Sequence, residues 1–291
     1  MNRTNGQAEP LDAYLAQLVT IPGWLTPVDF RMIRDLAGLQ TRRGITGDLF
    51  EIGAYCGKTA IELGYLRQPT ESLVVCDLFE SEEVPAADQA EVAYWYGDLS
   101  RGRFEAIYLR YHPELPQILQ MPSTEIGNQQ LGSRFRFIHI DGSHVYQTVK
   151  SDIALAKELS CPQAILAFDD YGSPHCPGIP AAVWEAHFDL GLEPFLLTDT
   201  KLYAHWGDYG ADLLDEMETR GRVEGLVCER HDIMGRQVLR VIEDTHRWTV
   251  RKVVSLTTPP GLEVAAWKLR RAVAMRNATR QATARRRGAR P

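Results

Sequence analysis

The sequence predicts a doubly wound α/β fold with a mostly parallel sheet, and three observations predict it. Short, nearly continuous apolar runs at Leu49–Ile52, Leu73–Cys76, Gln117–Gln120, Phe135–Ile140 and Ala164–Phe168 have the length of strands. Such runs belong to strands buried on both faces. Segments of helical periodicity follow several of these runs, as crossovers between parallel strands require. Two further runs, Glu193–Thr198 and Lys201–Trp206, are joined only by Asp199 and Thr200. That spacing predicts a hairpin, so the sheet is expected to have seven strands and to end in an antiparallel pair.

Taken in order, Leu11–Val19 and Pro27–Leu39 carry apolar residues at helical spacing and are separated by Ile21-Pro22-Gly23-Trp24. Thr26 before Pro27 reads as an N-cap followed by proline in the first turn. After Asp141, the stripe Val145, Val149, Ile153 and Ala156 predicts a helix, with Ser143 available as its N-cap. Ala181–Phe188 predicts another after Asp169-Asp170. The stretch Tyr209–Glu243 shows a helix around Leu213–Met217 and a strand at Gln237–Ile242, with no assigned place in the fold. The resulting division is 1–46, N-terminal helices over the ligand-binding end; 47–207, the α/β core; 208–260, an extension; and 261–291, a basic helix or tail.

The 291 residues, 44% of them hydrophobic, suffice for a full core. No run approaches the roughly 20 apolar residues of a membrane span, and the first thirty residues carry acids and prolines instead of a signal sequence. A cytoplasmic location is expected. The five cysteines contain no C-x-x-C pair, so reduced thiols are expected. Nine of the 32 basic residues lie between Lys268 and Arg290. The acidic remainder repels nucleic acid, which is not an expected partner.

In an open parallel sheet, ligands bind beyond the carboxyl ends of the strands. There the segment Glu51-Ile52-Gly53-Ala54-Tyr55-Cys56-Gly57 places two glycines between a strand and a helix, where backbone can approach a ligand. The same glycines would also serve a tight connection by packing alone. Asp77 ends the next run, a position from which a carboxylate can hold both hydroxyls of a ribose. The glycine spacing is neither G-x-G-x-x-G nor that of a P-loop.

Asp141 ends the fourth run and Asp169 and Asp170 the fifth, on strands expected about 4.8 Å apart. Three carboxylates at one place repel, and a divalent cation resolves the repulsion; all-oxygen ligation favours Mg2+. A hydroxyl bound to that ion would be more acidic and held in place. Each aspartate alone could equally cap a helix or turn. His144, whose ordinary pKa suits proton removal near neutrality, competes as the base. His175 and Cys176 follow on a loop facing the same side, at a spacing that permits metal contact.

Ile21-Pro22-Gly23-Trp24, Phe50-Glu51-Ile52-Gly53-Ala54-Tyr55-Cys56-Gly57, Phe137-Ile138-His139-Ile140-Asp141-Gly142-Ser143-His144 and Phe168-Asp169-Asp170-Tyr171 together carry a resemblance. They resemble the class I S-adenosylmethionine-dependent methyltransferases, within them the bacterial macrocin and novobiocin-type sugar O-methyltransferases, over residues 20–206. The resemblance implies a Rossmann-like core and the cofactor S-adenosylmethionine. Glu51, Gly53 and Gly57 would meet its amino acid part, Asp77 its ribose, and Ser123 and Thr124 its adenine; Tyr55 and Asp141 are counted with these contacts. It implies Mg2+ on Asp141, Asp169 and Asp170, with Asp141 also taking the substrate's proton. The implied acceptor is a hydroxylated small molecule, a sugar or similar unit of bacterial specialised metabolism. Two other readings stay open: a metal-independent methyltransferase with His144 as base, and a non-catalytic nucleoside-binding protein. The segment Glu91–Arg110, with Tyr94-Trp95-Tyr96, is long for a connection and is compatible with a lid or with a subunit contact in a homo-oligomer.

Overall fold

The computed structural model describes residues 10–80, 99–129, 131–132, 134–210 and 212–244. Two helices, α1 (Pro10–Gln17) and α2 (Pro27–Arg42), precede the sheet. Thr26 caps α2 as the sequence predicts, its hydroxyl accepting the Asp29 N–H at 3.0 Å with Pro27 in the first turn. Then come β1 (Asp48–Ile52), α3 (Lys58–Leu66), β2 (Leu73–Asp77), α4 (Arg101–Tyr108), β3 (Gln117–Gln120), β4 (Phe135–Ile140) and α5 (Tyr146–Leu159). They are followed by β5 (Ser160–Phe168), α6 (Gly178–Leu190), β6 (Glu193–Leu197), β7 (Leu202–His205), α7 (Leu213–Val223), β8 (Leu226–Ile233) and β9 (Arg236–Glu243).

One sheet holds all of these strands, in the order β3-β2-β1-β4-β5-β7-β6-β9-β8. Strands β1 to β5 pair in parallel, and the winding reverses between β1 and β4. The hairpin β6–β7 inserts antiparallel against β5, as expected. The sheet then runs on, giving nine strands instead of seven, because β9 adds parallel to β6 and β8 closes the edge. The described part of the extension thus supplies α7 and two strands. Strand β8 escaped the sequence reading because Glu229-Arg230-His231-Asp232 interrupts its apolar pattern. Those side chains are exposed on an edge strand, where charge discourages pairing with another chain. The basic segment 261–291 and Tyr94–Tyr96 lie outside the described residues.

Alternation divides the core into two layers. Leu49, Phe137, Ile165 and Tyr203 face α2 and α3, while Phe50, Ile138, Leu166 and Leu202 face α5 and α6. Each such side chain, fully buried, contributes about 1.5–3 kcal/mol. One expectation is corrected here: Ser143 does not cap α5. That helix starts at Tyr146, and the Ser143 hydroxyl instead accepts the Val145 N–H at 3.1 Å, forming a local turn before the helix. The five cysteines are free thiols. No described helix is long and apolar enough to cross a membrane.

Candidate active site at the carboxyl ends of the strands

The turn after β1 is set by its neighbours. Gly53 has φ +81°, and a Cβ there would lie 2.1 Å from the Asp141 carbonyl oxygen, so only glycine lets the ends of β1 and β4 meet. Asp77 holds the turn from the other side: its Oδ2 accepts the N–H groups of Ala54 and Tyr55 at 2.7 and 2.9 Å, and its Oδ1 accepts that of Phe79 at 2.7 Å. Burial raises its pKa above the ordinary value against these hydrogen bonds. Gly57 stands at the N-terminus of α3, which no side chain caps. The loop between α1 and α2 reaches this turn. Trp24 lies 5.5 Å from the Tyr55 ring, and Lys58 Nζ donates to the Gly23 carbonyl at 3.0 Å. Ser123 and Thr124 open the 3-10 run Ser123–Gln129 that follows β3.

A second constellation is buried beneath the ends of β1, β4, β5 and β7. Register brings it together: Glu51 lies opposite His139, Ile140 opposite Phe168, and Phe168 opposite Leu202. Asp169, just past the end of β5, therefore stands beside Lys201, just before β7. Glu51 Oε1 is 3.0 Å from His139 Nδ1, His139 Nε2 is 3.0 Å from Lys201 Nζ, and Lys201 pairs with Asp169. Burial and the nearby Lys201 push the His139 pKa well below its ordinary value, so its ring is neutral. Its partners assign the tautomer: Nε2 accepts from the ammonium and Nδ1–H donates to Glu51. Burial alone would lower the Lys201 pKa, but Asp169 and Asp141 outweigh it and raise it, so the side chain stays charged while fully enclosed. Burial likewise raises Glu51. Asp141, raised by burial and by Asp169, lines a small cavity with Ser143, His144 and Asp169, walled by Ile140 and Phe168.

Asp170 belongs to a third constellation, nearer solvent. Its φ is +52°, its Oδ2 is 3.2 Å from His144 Nε2, and its Oδ1 accepts the Ser173 hydroxyl. Burial would raise its pKa, but the hydrogen bonds from His144 and Ser173 prevail and hold it below the carboxylate range. His175 and Cys176 complete this group, while Asp141 and Asp169 gather with His139.

The three expected aspartates thus fall in two different ligand groups, Asp141 and Asp169 in one and Asp170 in the other. Both Asp169 and Asp170 lie past the end of β5, Asp169 directly after the strand and Asp170 in a left-handed turn with φ +52°. The charge argument for Mg2+ is met by other means, with Lys201 on Asp169 and His144 on Asp170. A divalent ion there would have to compete with Lys201 for Asp169 and with His144 for Asp170. Sequence reasoning missed Lys201 and His139. The available signal was a lysine opening an apolar strand that had to be buried.

The fold is a Rossmann-like α/β core with its candidate sites at the strand ends. Residues 50–171 match the model of a family described as a methyltransferase domain, and the chain is an enzyme of the methyltransferase class. No curated protein matches the sequence. Among solved structures, the O-methyltransferase NovP is 16% identical, over 68% of this chain and 98% of its own, with a TM-score of 0.53. The calicheamicin methyltransferase CalS11 is 16% identical, over 72% and 100%, with a TM-score of 0.48. An O-methyltransferase from Bacillus cereus in complex with SAH is 17% identical, over 69% and 92%, with a TM-score of 0.47. The likeness to NovP shows the shared fold.

Proposed function

We propose that this enzyme transfers a methyl group from S-adenosylmethionine to a hydroxyl of a small molecule, with Asp141 receiving the hydroxyl proton. The observation that supports this reading is the close approach of Gly53 to the Asp141 backbone, so that the glycine turn and Asp141 lie side by side. When bound, the cofactor supplies an electrophilic methyl group on a sulfonium sulfur. The uncapped start of α3 suits its carboxylate, and Asp77 and the turn suit its ribose. The acceptor oxygen gains the methyl as it loses its proton, and the thioether leaves. A carboxyl whose pKa is raised by burial is a better match to that proton than an exposed one. The acceptor class, a sugar or similar hydroxylated unit, rests on the sequence resemblance.

Mg2+ is set aside in this reading because Lys201 already neutralises Asp169. A second reading has one observation in its favour: His144, on the same cavity, is oriented by Asp170 as a base is oriented by a carboxylate. Calorimetry with S-adenosylhomocysteine tests the cofactor assignment, with saturable binding at one site expected; no binding overturns it. With an acceptor in hand from a screen of glycosides and phenols, Asp141→Asn should lower kcat by at least about 100-fold. Turnover should not depend on added Mg2+. If Asp141→Asn retains activity while His144→Gln loses it, the second reading replaces the first.

A further inference from the structure

The third constellation lacks the all-oxygen ligand set that Mg2+ prefers. It offers two imidazoles, a carboxylate and a thiol, and one ligand atom from each of His144, Asp170, His175 and Cys176 lies within 4.8 Å of all the others. We propose that these four side chains bind one borderline divalent metal ion of the zinc class, a site separate from the lysine-neutralised aspartates and independent of the cofactor assignment.

Ligand type is the first argument. Thiolate and imidazole select zinc and its neighbours, whereas Mg2+ takes oxygen almost exclusively. Geometry is the second. Bonds of about 2.0–2.3 Å in a tetrahedron put neighbouring ligand atoms about 3.3–3.7 Å apart. The His144 Nε2 to Asp170 Oδ2 distance is 3.2 Å, already close to one such edge. The remaining atoms, within 4.8 Å, reach the others by shifts on the order of half an ångström each.

The third argument is how firmly the two ligand-bearing loops are pressed together. A Cβ at Gly178, two residues past Cys176, would lie 2.8 Å from the Tyr146 amide nitrogen and 2.9 Å from the His144 carbonyl oxygen. Only glycine permits that approach, and it seats the Cys176 loop on the turn that carries His144. The Cys176 amide also donates to the Ser173 carbonyl at 3.0 Å, tightening the loop around Asp170. Burial is graded as a site with an entry path requires: Cys176 is enclosed, His144 and Asp170 are half-buried, and His175 is exposed. The other three-ligand group, His139 with Asp141 and Asp169, is spent internally, since both ring nitrogens of His139 are engaged by Glu51 and Lys201.

The test uses the full-length protein, stripped with a chelator, desalted and titrated with Co2+. One equivalent should bind with the visible bands of tetrahedral cobalt and a near-ultraviolet thiolate-to-cobalt band. Zn2+ should displace it stoichiometrically, and millimolar Mg2+ should not. Cys176→Ser should abolish the thiolate band, and His175→Ala should weaken binding at least about tenfold. Asp141→Asn should leave the spectrum unchanged. The melting temperature and S-adenosylhomocysteine binding of each variant report folding and the cofactor site separately. Absence of a thiolate band, its persistence in Cys176→Ser, or loss of cobalt binding in Asp141→Asn would each overturn the proposal.

Discussion

Two carboxylate clusters less than a strand apart have solved charge crowding in opposite ways. Around Asp141 and Asp169 the protein has built in its own cation, Lys201, and sealed it; both acids are raised in pKa, chiefly by burial. Around Asp170 no described lysine or arginine pairs with the carboxylate. Instead it draws hydrogen bonds from His144 and Ser173, is lowered in pKa, and sits among nitrogen and sulfur ligands near solvent. The difference shows that a row of aspartates at strand ends does not by itself specify a metal. What neutralises them decides what they can do.

The largest effect should come from removing the built-in cation. Lys201→Met leaves Asp169 and Asp141 buried without their counter-charge, and breaking a buried pair from one side costs about 3–5 kcal/mol. Urea unfolding at pH 7 measures this, and the deficit should shrink at low pH as the carboxyls take up protons. Added Mg2+ should stabilise the variant and leave the wild type unchanged. Equal stabilisation of both proteins would mean that Lys201 does not stand in for a metal.

Next in size, Asp141→Asn and Asp170→Asn should move stability in opposite directions at pH 7. The folded pKa of Asp141 lies above its ordinary 3.8. Its contribution is therefore present below 3.8 and lost as pH rises through the folded value, so Asp141→Asn should be at least as stable as wild type at neutrality, with no advantage in acid. The folded pKa of Asp170 lies below 3.8, so its contribution is present above that pH and lost as pH falls through the folded value. Asp170→Asn should cost about 1 kcal/mol at neutrality, discounted for its partial exposure. Thermal melts at pH 7 and on acidification to well below pH 3.8 follow both, and the same sign for both at pH 7 would erase the contrast between the clusters.

How much of this contrast the sequence shows depends on the range of the interactions. Strands buried on both faces, the hairpin and the Thr26 cap are local patterns, and all are readable. Gly53 was readable as a glycine but not in its reason, which is the carbonyl of Asp141 some ninety residues on. The separation of Asp169 from Asp170 into two groups accompanies a left-handed turn at Asp170, just past the end of β5. Counting carboxylates obscured it. Lys201 is different in kind: it reaches Asp169 only because β7 inserts antiparallel beside β5 in one register, and nothing near Lys201 in the chain announces that partner. Even so, a cluster of buried acids implies a cation somewhere, and a lysine at the head of a buried strand is where to look.

The smallest effect probes the outer cluster alone. Ser173 donates its hydroxyl to Asp170 Oδ1, three residues away on a half-exposed loop. Removing one hydrogen bond to a carboxylate in such a place should cost about 0.5–1.5 kcal/mol. If the hydroxyl acts through Asp170, Ser173→Ala should cost that amount in the wild type and nearly nothing in an Asp170→Ala background, a coupling that a double-mutant cycle reads directly. Costs that simply add would place Ser173 in the loop's own turn and leave Asp170 oriented by His144 alone. Coupling instead would mean that the carboxylate is held on both oxygens before any ligand arrives, as Lys201 already holds Asp169 in the inner cluster.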